Sequence, residues 1–186
     1  MKNNKKVVAI IGAGLVGSLE ACYLAKRGYE VHVYEYREDI RQMEHVPGRS
    51  INLAMSVRGL GALNKVDLDE HVKTEYGIPM YARMIHSTDG QTNPIPYGKE
   101  NQCIYSVGRR YVNEILLDKG SQYEDITFHF QHKLIKANLD KPELVFERQD
   151  IEDPSEKVVT VNPDLIIGCD GAYSAVRYFD DYFHHD

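Results

Sequence analysis

The 186-residue chain has few cysteines, no excess of basic charge and no long apolar run, and each shortage removes a class of function. Cys22, Cys103 and Cys169 are odd in number, widely spaced and outside any CxxC pair, which counts against a disulfide framework or a zinc site. A formal net charge of -6, with no clustered basic face beyond short pairs such as Lys5-Lys6 and Arg109-Arg110, counts against a nucleic-acid or anionic-membrane partner. No apolar stretch approaches the ~20 residues that span a bilayer, and Met1 to Lys6 is too short and polar for a secretory signal. These features read as a soluble chain. Neither GxSxG nor a Cys/His arrangement is present, so no side-chain nucleophile and no metal ligand are expected. Repeats and low-complexity tracts are absent as well.

What is present suits a packed α/β core: 42% of the residues are hydrophobic, enough for one domain or slightly more. Val7 to Ile11 is a continuous apolar run ending in glycine, the pattern of a parallel strand buried on both faces. Leu15, Leu19, Cys22, Tyr23 and Ala25 then recur at helical spacing up to Lys26, and Gly28 stands where a left-handed cap belongs. A second strand runs from Glu30 to Glu35. In this strand, helix, strand unit each glycine of GxGxxG has its own steric task. Gly12 permits the tight turn, Gly14 lets the backbone approach a pyrophosphate, and Gly17 lets the helix sit close to the strand. The helix N-terminus would face the phosphates, and Glu35 would accept hydrogen bonds from an adenosine ribose. A carboxylate there repels a 2'-phosphate, so NADP is disfavoured at this turn, while FAD and NAD both remain open.

Beyond that unit, Tyr36 to Arg49 reads as a polar connection and Ser50 to Met55 as a short strand. Ser56 is placed to cap a helix over Val57 to Lys65, and a further helix is expected from Leu68 to Glu75, ended by Gly77 and Pro79. Strands are expected at Met80 to Ser87 and Gln102 to Val107, separated by a turn-rich stretch with Asp89-Gly90, Pro94 and Pro96. Tyr111 to Leu117 reads as helix. Strands follow at Thr127 to Phe130, Leu134 to Asn138 and Leu144 to Arg148, then a charged turn at Asp150 to Pro154. Finally Leu165 to Ile167 is a wholly apolar strand, from whose end Gly168 to Gly171 carries Asp170 toward a helix starting near Ser174. An Asp-Gly turn alone would also explain Asp170.

Two motifs together, the N-terminal GxGxxG ending in Glu35 and Gly168-Cys169-Asp170-Gly171 followed by Ser174 and Arg177, resemble the flavoprotein aromatic hydroxylases. Narrower stretches resemble the branch of that family acting on L-kynurenine: "GAGLVGS" at 12 to 18, "GRSINLAMSVRG" at 48 to 59, "GIPMYARMIHS" at 77 to 87, "IPYG" at 95 to 98 and "IIGCDGAYSAVR" at 166 to 177. The resemblance implies a Rossmann-like FAD-binding domain over 1-79 and 107-186, with a partial β excursion from the substrate domain at 80-106. It implies hydroxylation of L-kynurenine to 3-hydroxykynurenine with NADPH, FAD and O2, by way of a C4a-hydroperoxyflavin. It places Val16, Tyr34, Glu35, Tyr36, Arg37, Ala54, Arg109, Leu134 and Asp170 against FAD beside the turn glycines. Arg83 and Tyr97 would hold the amino-acid carboxylate of the substrate, a pairing suited to the parallel donors of a guanidinium and the semi-rigid hydroxyl of a phenol.

The sequence departs from the family at Gly108-Arg109-Arg110, where a Ser-Arg pair is usual, and Arg109 is the favoured flavin contact. Family members are more than twice as long, with a later Gly-Asp-Ala motif and, in animals, a membrane segment that attaches them to the mitochondrial outer membrane. The chain therefore reads as an N-terminal portion, with His184 and His185 as tail residues. Two rival readings remain. One is a non-catalytic truncated nucleotide-binding module; the other, an NAD-dependent dehydrogenase, would need a hydride-transfer site that the sequence does not display.

Overall fold

A computed structural model describes residues 5–44 and 51–183. Part of the "GRSINLAMSVRG" stretch and both His184 and His185 lie outside them. The chain divides into two compact units, Met1–His45 with Asn113–Asp186, and Val46–Val112. The second unit contains the expected 80-106 excursion and begins well before it.

In chain order the elements are β1 (Val7–Ile11), α1 (Leu15–Ala25), β2 (Glu30–Tyr34), β3 (Asn52–Met55), α2 (Val57–Asn64), α3 (Asp69–His71), β4 (Ile78–Met80), β5 (Ala82–His86), β6 (Thr92–Pro96), β7 (Ile104–Gly108) and α4 (Arg109–Gly120). Then come β8 (Ile126–His129), β9 (His132–Asn138), β10 (Glu143–Arg148), β11 (Val158–Val161), β12 (Leu165–Gly168) and α5 (Ala175–Phe183).

In the first unit a parallel sheet runs in the order β12-β1-β2-β8. The apolar run of β1 sits inside this sheet, and its alternation serves both faces. Val8 and Ile10, with Val31 and Val33 of β2, are buried on the side where α1 packs. Ala9 and Ile11 point the other way, into a cluster with Tyr34, Leu134, Ala137, Leu144 and Phe146, the last four supplied by the antiparallel sheet β11-β10-β9. α5 adds Ala175, Val176 and Phe179 to the margin of this cluster. A register shift between Val145 and Phe146 marks an irregularity in the β9-β10 ladder. The loop after β2 is tied down electrostatically. Arg41 grips the nearly buried Asp39 through Nε and an NH2 group at 2.6 Å, and reaches Asp118 of α4 at 2.9 Å. Burial alone would push the Asp39 carboxyl up, but the Arg41 hydrogen bonds outweigh it and hold the group below its ordinary value.

The second unit contains the antiparallel sheet β3-β7-β4 and a separate hairpin of β5 with β6. Three expectations change here. Met80 to Ser87 is not one strand: it breaks at Tyr81 between β4 and β5. Thr92 to Pro96, expected as turn, is the partner strand of β5. The prolines are tolerated because of register. Tyr97 N donates to Tyr81 O at 2.9 Å and Ser87 N to Gln91 O at 3.0 Å. Alternation from those two pairs puts Pro94 opposite Met84 and Pro96 opposite Ala82 at positions without ladder bonds, where a missing N–H costs nothing. Gly90 closes the turn at φ 83°. Helix 68 to 75 is replaced by the three-residue α3 and a wider π turn at Val72–Tyr76. Ser56 does hold the cap position of α2, yet its side chain makes no capping bond.

Phe146 is fully buried and stacks on Tyr34 with ring centroids 4.2 Å apart. Phe146→Ala should therefore cost about 3–5 kcal/mol, read as a fall in the urea midpoint at unchanged slope.

Candidate functional site

The glycine turn is built by exclusion. Gly12 sits at φ 101°, a backbone state side chains rarely adopt, and a β-carbon there would lie 2.6 Å from the carbonyl oxygen of Cys169. At Gly17 a β-carbon would come within 1.9 Å of Gly12 O, so only glycine lets α1 start this close to the strand end. Gly14 differs from both. A β-carbon on it would meet nothing within 4 Å, so the turn's open side lies there. Gly14 is also the cap residue of α1, no side chain caps that helix, and its first turn carries no acidic residue. The leading N–H groups of a helix have no intrahelical acceptor, and here they share one end with the positive pole of the helix dipole. Val16, in that first turn, is 68% exposed.

Glu35 follows β2 and reaches back to this turn. Its Oε2 accepts from Ala13 N at 2.9 Å, and its Oε1 accepts from Arg37 N at 3.0 Å. One carboxylate thus fixes the glycine turn and its own loop together. The second motif arrives at the same place: Cys169 N donates to Ile11 O at 2.7 Å, and the space beside Gly12 is closed by Cys169 and the Cα of Asp170. Asp170 Oδ2 accepts from Ala175 N at 2.6 Å and Val176 N at 3.2 Å, capping α5, while Ser174 Oγ accepts from Arg177 N at 3.0 Å. Oδ2 thus has a structural task at the start of α5. Asp170 Oδ1 is buried without a partner, leaving one acceptor unused at this corner.

A dinucleotide fits these features. The bare side of Gly14 and the uncapped start of α1 suit a diphosphate, Glu35 suits a ribose, and Asp170 Oδ1 can accept one further donor. Burial pushes the Cys22 thiol up to about 11 and also raises that of Cys169, so neither is a poised nucleophile.

The other named residues fall in different surroundings. Tyr34 is buried, whereas Tyr36 and Arg37 are exposed on the loop after Glu35. Leu134 lies in the apolar cluster opposite Phe146. In the second unit Ala54 is exposed on β3 opposite Ser106, and Arg109 opens α4 with its N–H on Ile51 O at 3.2 Å. Arg83 pairs with Ile95 across the hairpin, two positions from Tyr97, so strand alternation places Arg83 and Tyr97 on one face. Both are exposed.

Sequence reasoning passed over a group of imidazoles, His32, His129 and His132, gathered around Tyr34. Burial, helped by the neighbouring His32, His132 and Arg148, pushes His129 down to about 4. Alternation on β2 puts His32 and Tyr34 on one face, but no local signal announces that β8 lies beside β2.

Comparison with known proteins places these features. The family described as an FAD binding domain matches residues 5–179. Kynurenine 3-monooxygenase of Anopheles gambiae is 52% identical over 178 residues, covering 95% of this chain and 36% of that protein. The Sus scrofa protein of the same name is 46% identical over 170 residues, covering 91% of this chain and 35% of its own length. The chain thus spans little more than a third of these relatives. Among solved structures, p-nitrophenol 4-monooxygenase PnpA from Pseudomonas putida superposes with a TM-score of 0.73 at 18% identity, over 93% of this chain and 42% of its own. PqsL of P. aeruginosa, solved with 2-aminobenzoylacetate, gives 0.72 at 20%, over 94% and 45%. At such identities the two structures speak for the fold alone, the α/β architecture of FAD-dependent monooxygenases.

The glycines supply a contrast that separates folding from binding. Gly17→Ala should lower the thermal midpoint by several degrees, because its methyl meets backbone. Gly14→Ala should leave the midpoint nearly unchanged yet weaken dinucleotide binding about ten-fold or more, measured by titration calorimetry.

Proposed function

The chain belongs to the FAD binding domain family, and on that premise we propose that it is the flavin-holding part of an FAD- and NADPH-dependent monooxygenase that hydroxylates L-kynurenine to 3-hydroxykynurenine. The observation that carries this reading is the convergence of both motifs on one corner, where Gly12 abuts Cys169 and Asp170 while the Gly14 side stays bare. A simple dinucleotide dehydrogenase needs the first motif only. The names of the relatives at 52% and 46% identity support the choice of substrate.

In this reading the α1 start and Gly14 hold the FAD diphosphate, with Glu35 on the adenosine ribose and Val16, Tyr36 and Arg37 beside the nucleotide. Tyr34 and Leu134 act from the core by keeping that strand end in place. The family resemblance assigns Ala54 and Arg109 to the flavin as well, and residues 80-106 to the substrate domain. When bound, FAD supplies the redox chemistry, taking reducing equivalents from NADPH and delivering an oxygen atom derived from O2. The protein's task is to position and to exclude water. Arg83 donates two parallel hydrogen bonds to the substrate carboxylate and Tyr97 adds a third from the same face of the hairpin. The substrate's own aniline nitrogen supplies the electron density that makes its ring carbon nucleophilic, so the protein needs no strong base there.

Arg83→Ala in the full-length protein should raise the KM for L-kynurenine about 30-fold or more, with flavin absorbance intact and kcat changed far less. Loss of the flavin, or an unchanged KM, would remove Arg83 from the substrate site.

A further inference from the structure

One cluster of titratable side chains has no part in the chemistry above. His32 and Tyr34 stand two apart on β2, His129 ends β8, and His132 opens β9. Phe146, Tyr34 and His129 form a continuous stack, with centroids 4.2 and 4.6 Å apart and planes within 13° and 10°. His132 meets His129 edge-on at 5.5 Å. His32 Nδ1 lies 3.0 Å from His129 Nε2, so one ring donates and the other accepts, a bond that fails once both rings carry two protons. The other nitrogen of His32 faces Glu30 Oε1 at 3.1 Å. His132 Nδ1 lies 2.6 Å from Phe130 O, an acceptor only, so that nitrogen carries the hydrogen. Beside the cluster opens a cavity of about 330 Å³ lined in part by Glu30, His32 and Tyr34.

The same corner carries the nucleotide clasp. Glu35 N donates to His129 O at 2.9 Å, His132 N to Glu35 O at 2.9 Å, and Gln131 N to Arg37 O at 3.0 Å. Glu35 in turn holds Ala13 N–H of the glycine turn. We propose that His129 is a positioning residue: its neutral ring, stacked on Tyr34, keeps the β8-β9 corner and hence Glu35 set against the glycine turn, and protonation of that ring on acidification loosens the hold on FAD. This rests on the flavin reading above.

The charges around His129 are set against its protonation. β2 presents Glu30, His32 and Tyr34, β9 presents His132, and β10 ends in Arg148. Glu30 is engaged with His32, and Asp150, just past β10, is engaged with Arg148 through two hydrogen bonds at 3.1 and 2.6 Å. A proton on His129 would meet three basic side chains whose nearby carboxylates are already occupied. The folded ring sits at about 4, below the usual ~6.5 of an imidazole, so the unfolded or loosened chain takes up the proton first. The brace is therefore at full strength above about pH 6.5 and is lost progressively as the pH falls toward 4.

The test compares the wild-type chain with His129→Phe, whose ring stacks but takes no proton, at about pH 7.5 and about pH 5. FAD affinity is read from quenching of flavin fluorescence, and the thermal midpoint is read on the FAD-free chain. Wild type should show a lower midpoint and a measurably weaker hold on FAD at the lower pH, and His129→Phe should flatten both dependences. Equal pH dependence in the two proteins, or none in wild type, would overturn the proposal. Failure of FAD to bind at either pH would instead overturn the flavin reading, and the midpoint alone would then decide the brace: it stands if the pH dependence follows His129 and falls if it does not. Should His129→Phe not fold, His32→Gln keeps a hydrogen-bond partner for His129 while removing one basic ring, and should blunt the same dependences.

Discussion

The carbonyl oxygen of Gly12 occupies the place where any side chain at position 17 would begin. From that contact follows the close start of α1 on the end of β1, and from the left-handed Gly12 follows room for the backbone of Cys169 beside it. The two motifs lie more than a hundred residues apart in sequence, yet the hydrogen bond from Cys169 N to Ile11 O ties them at one point. The crowding is one-sided. Below the corner nothing larger than hydrogen fits at Gly12 or Gly17, and above it Gly14 faces open space. A backbone surface stripped of side chains can then meet a diphosphate with its N–H groups, which a substituted turn could not do.

The corner is held by its surroundings as much as by its own geometry. Ala9 and Ile11 pack on Leu144 and Phe146, so the sheet carrying the turn is clamped by the β9-β10-β11 layer. Glu35 contributes twice, through one oxygen to the turn and one to its own loop. Burial pushes the Tyr34 phenol up to about 12, so its ring stays neutral in the stack beneath that loop. Packing energy and ligand geometry thus depend on the same few residues of β2, and a loss of order there would be felt as weakened binding before it was felt as unfolding.

The β1-α1-β2 unit was legible in the sequence because every signal in it is local: an apolar run, a helical period and three glycines with distinct steric tasks. The same holds for β12 and the Asp170 loop. The hairpin was harder, since Pro94 and Pro96 argue against a strand unless the register that excuses them is known. β11 was missed because Val158 to Val161 is short and only partly buried. Of the candidate site, the steric crowding at Gly12 and Gly17 was legible, while the bonds of Glu35 to the glycine turn and the shared face of Arg83 and Tyr97 emerge only from the fold and its register. The imidazole cluster was invisible, because β8 pairs with β2 across some ninety residues of intervening chain and no periodicity reports a neighbour of that kind. Asp170 was anticipated as a ligand-facing carboxylate, and one of its oxygens proved to be a helix cap.

The central claim concerns where a coenzyme sits, and a crystal structure of the chain grown with FAD addresses it most directly. Diphosphate density should lie over Gly14 and the first turn of α1, with the adenosine ribose against Glu35. FAD bound elsewhere, or a corner left closed to it by neighbouring side chains, would contradict the account.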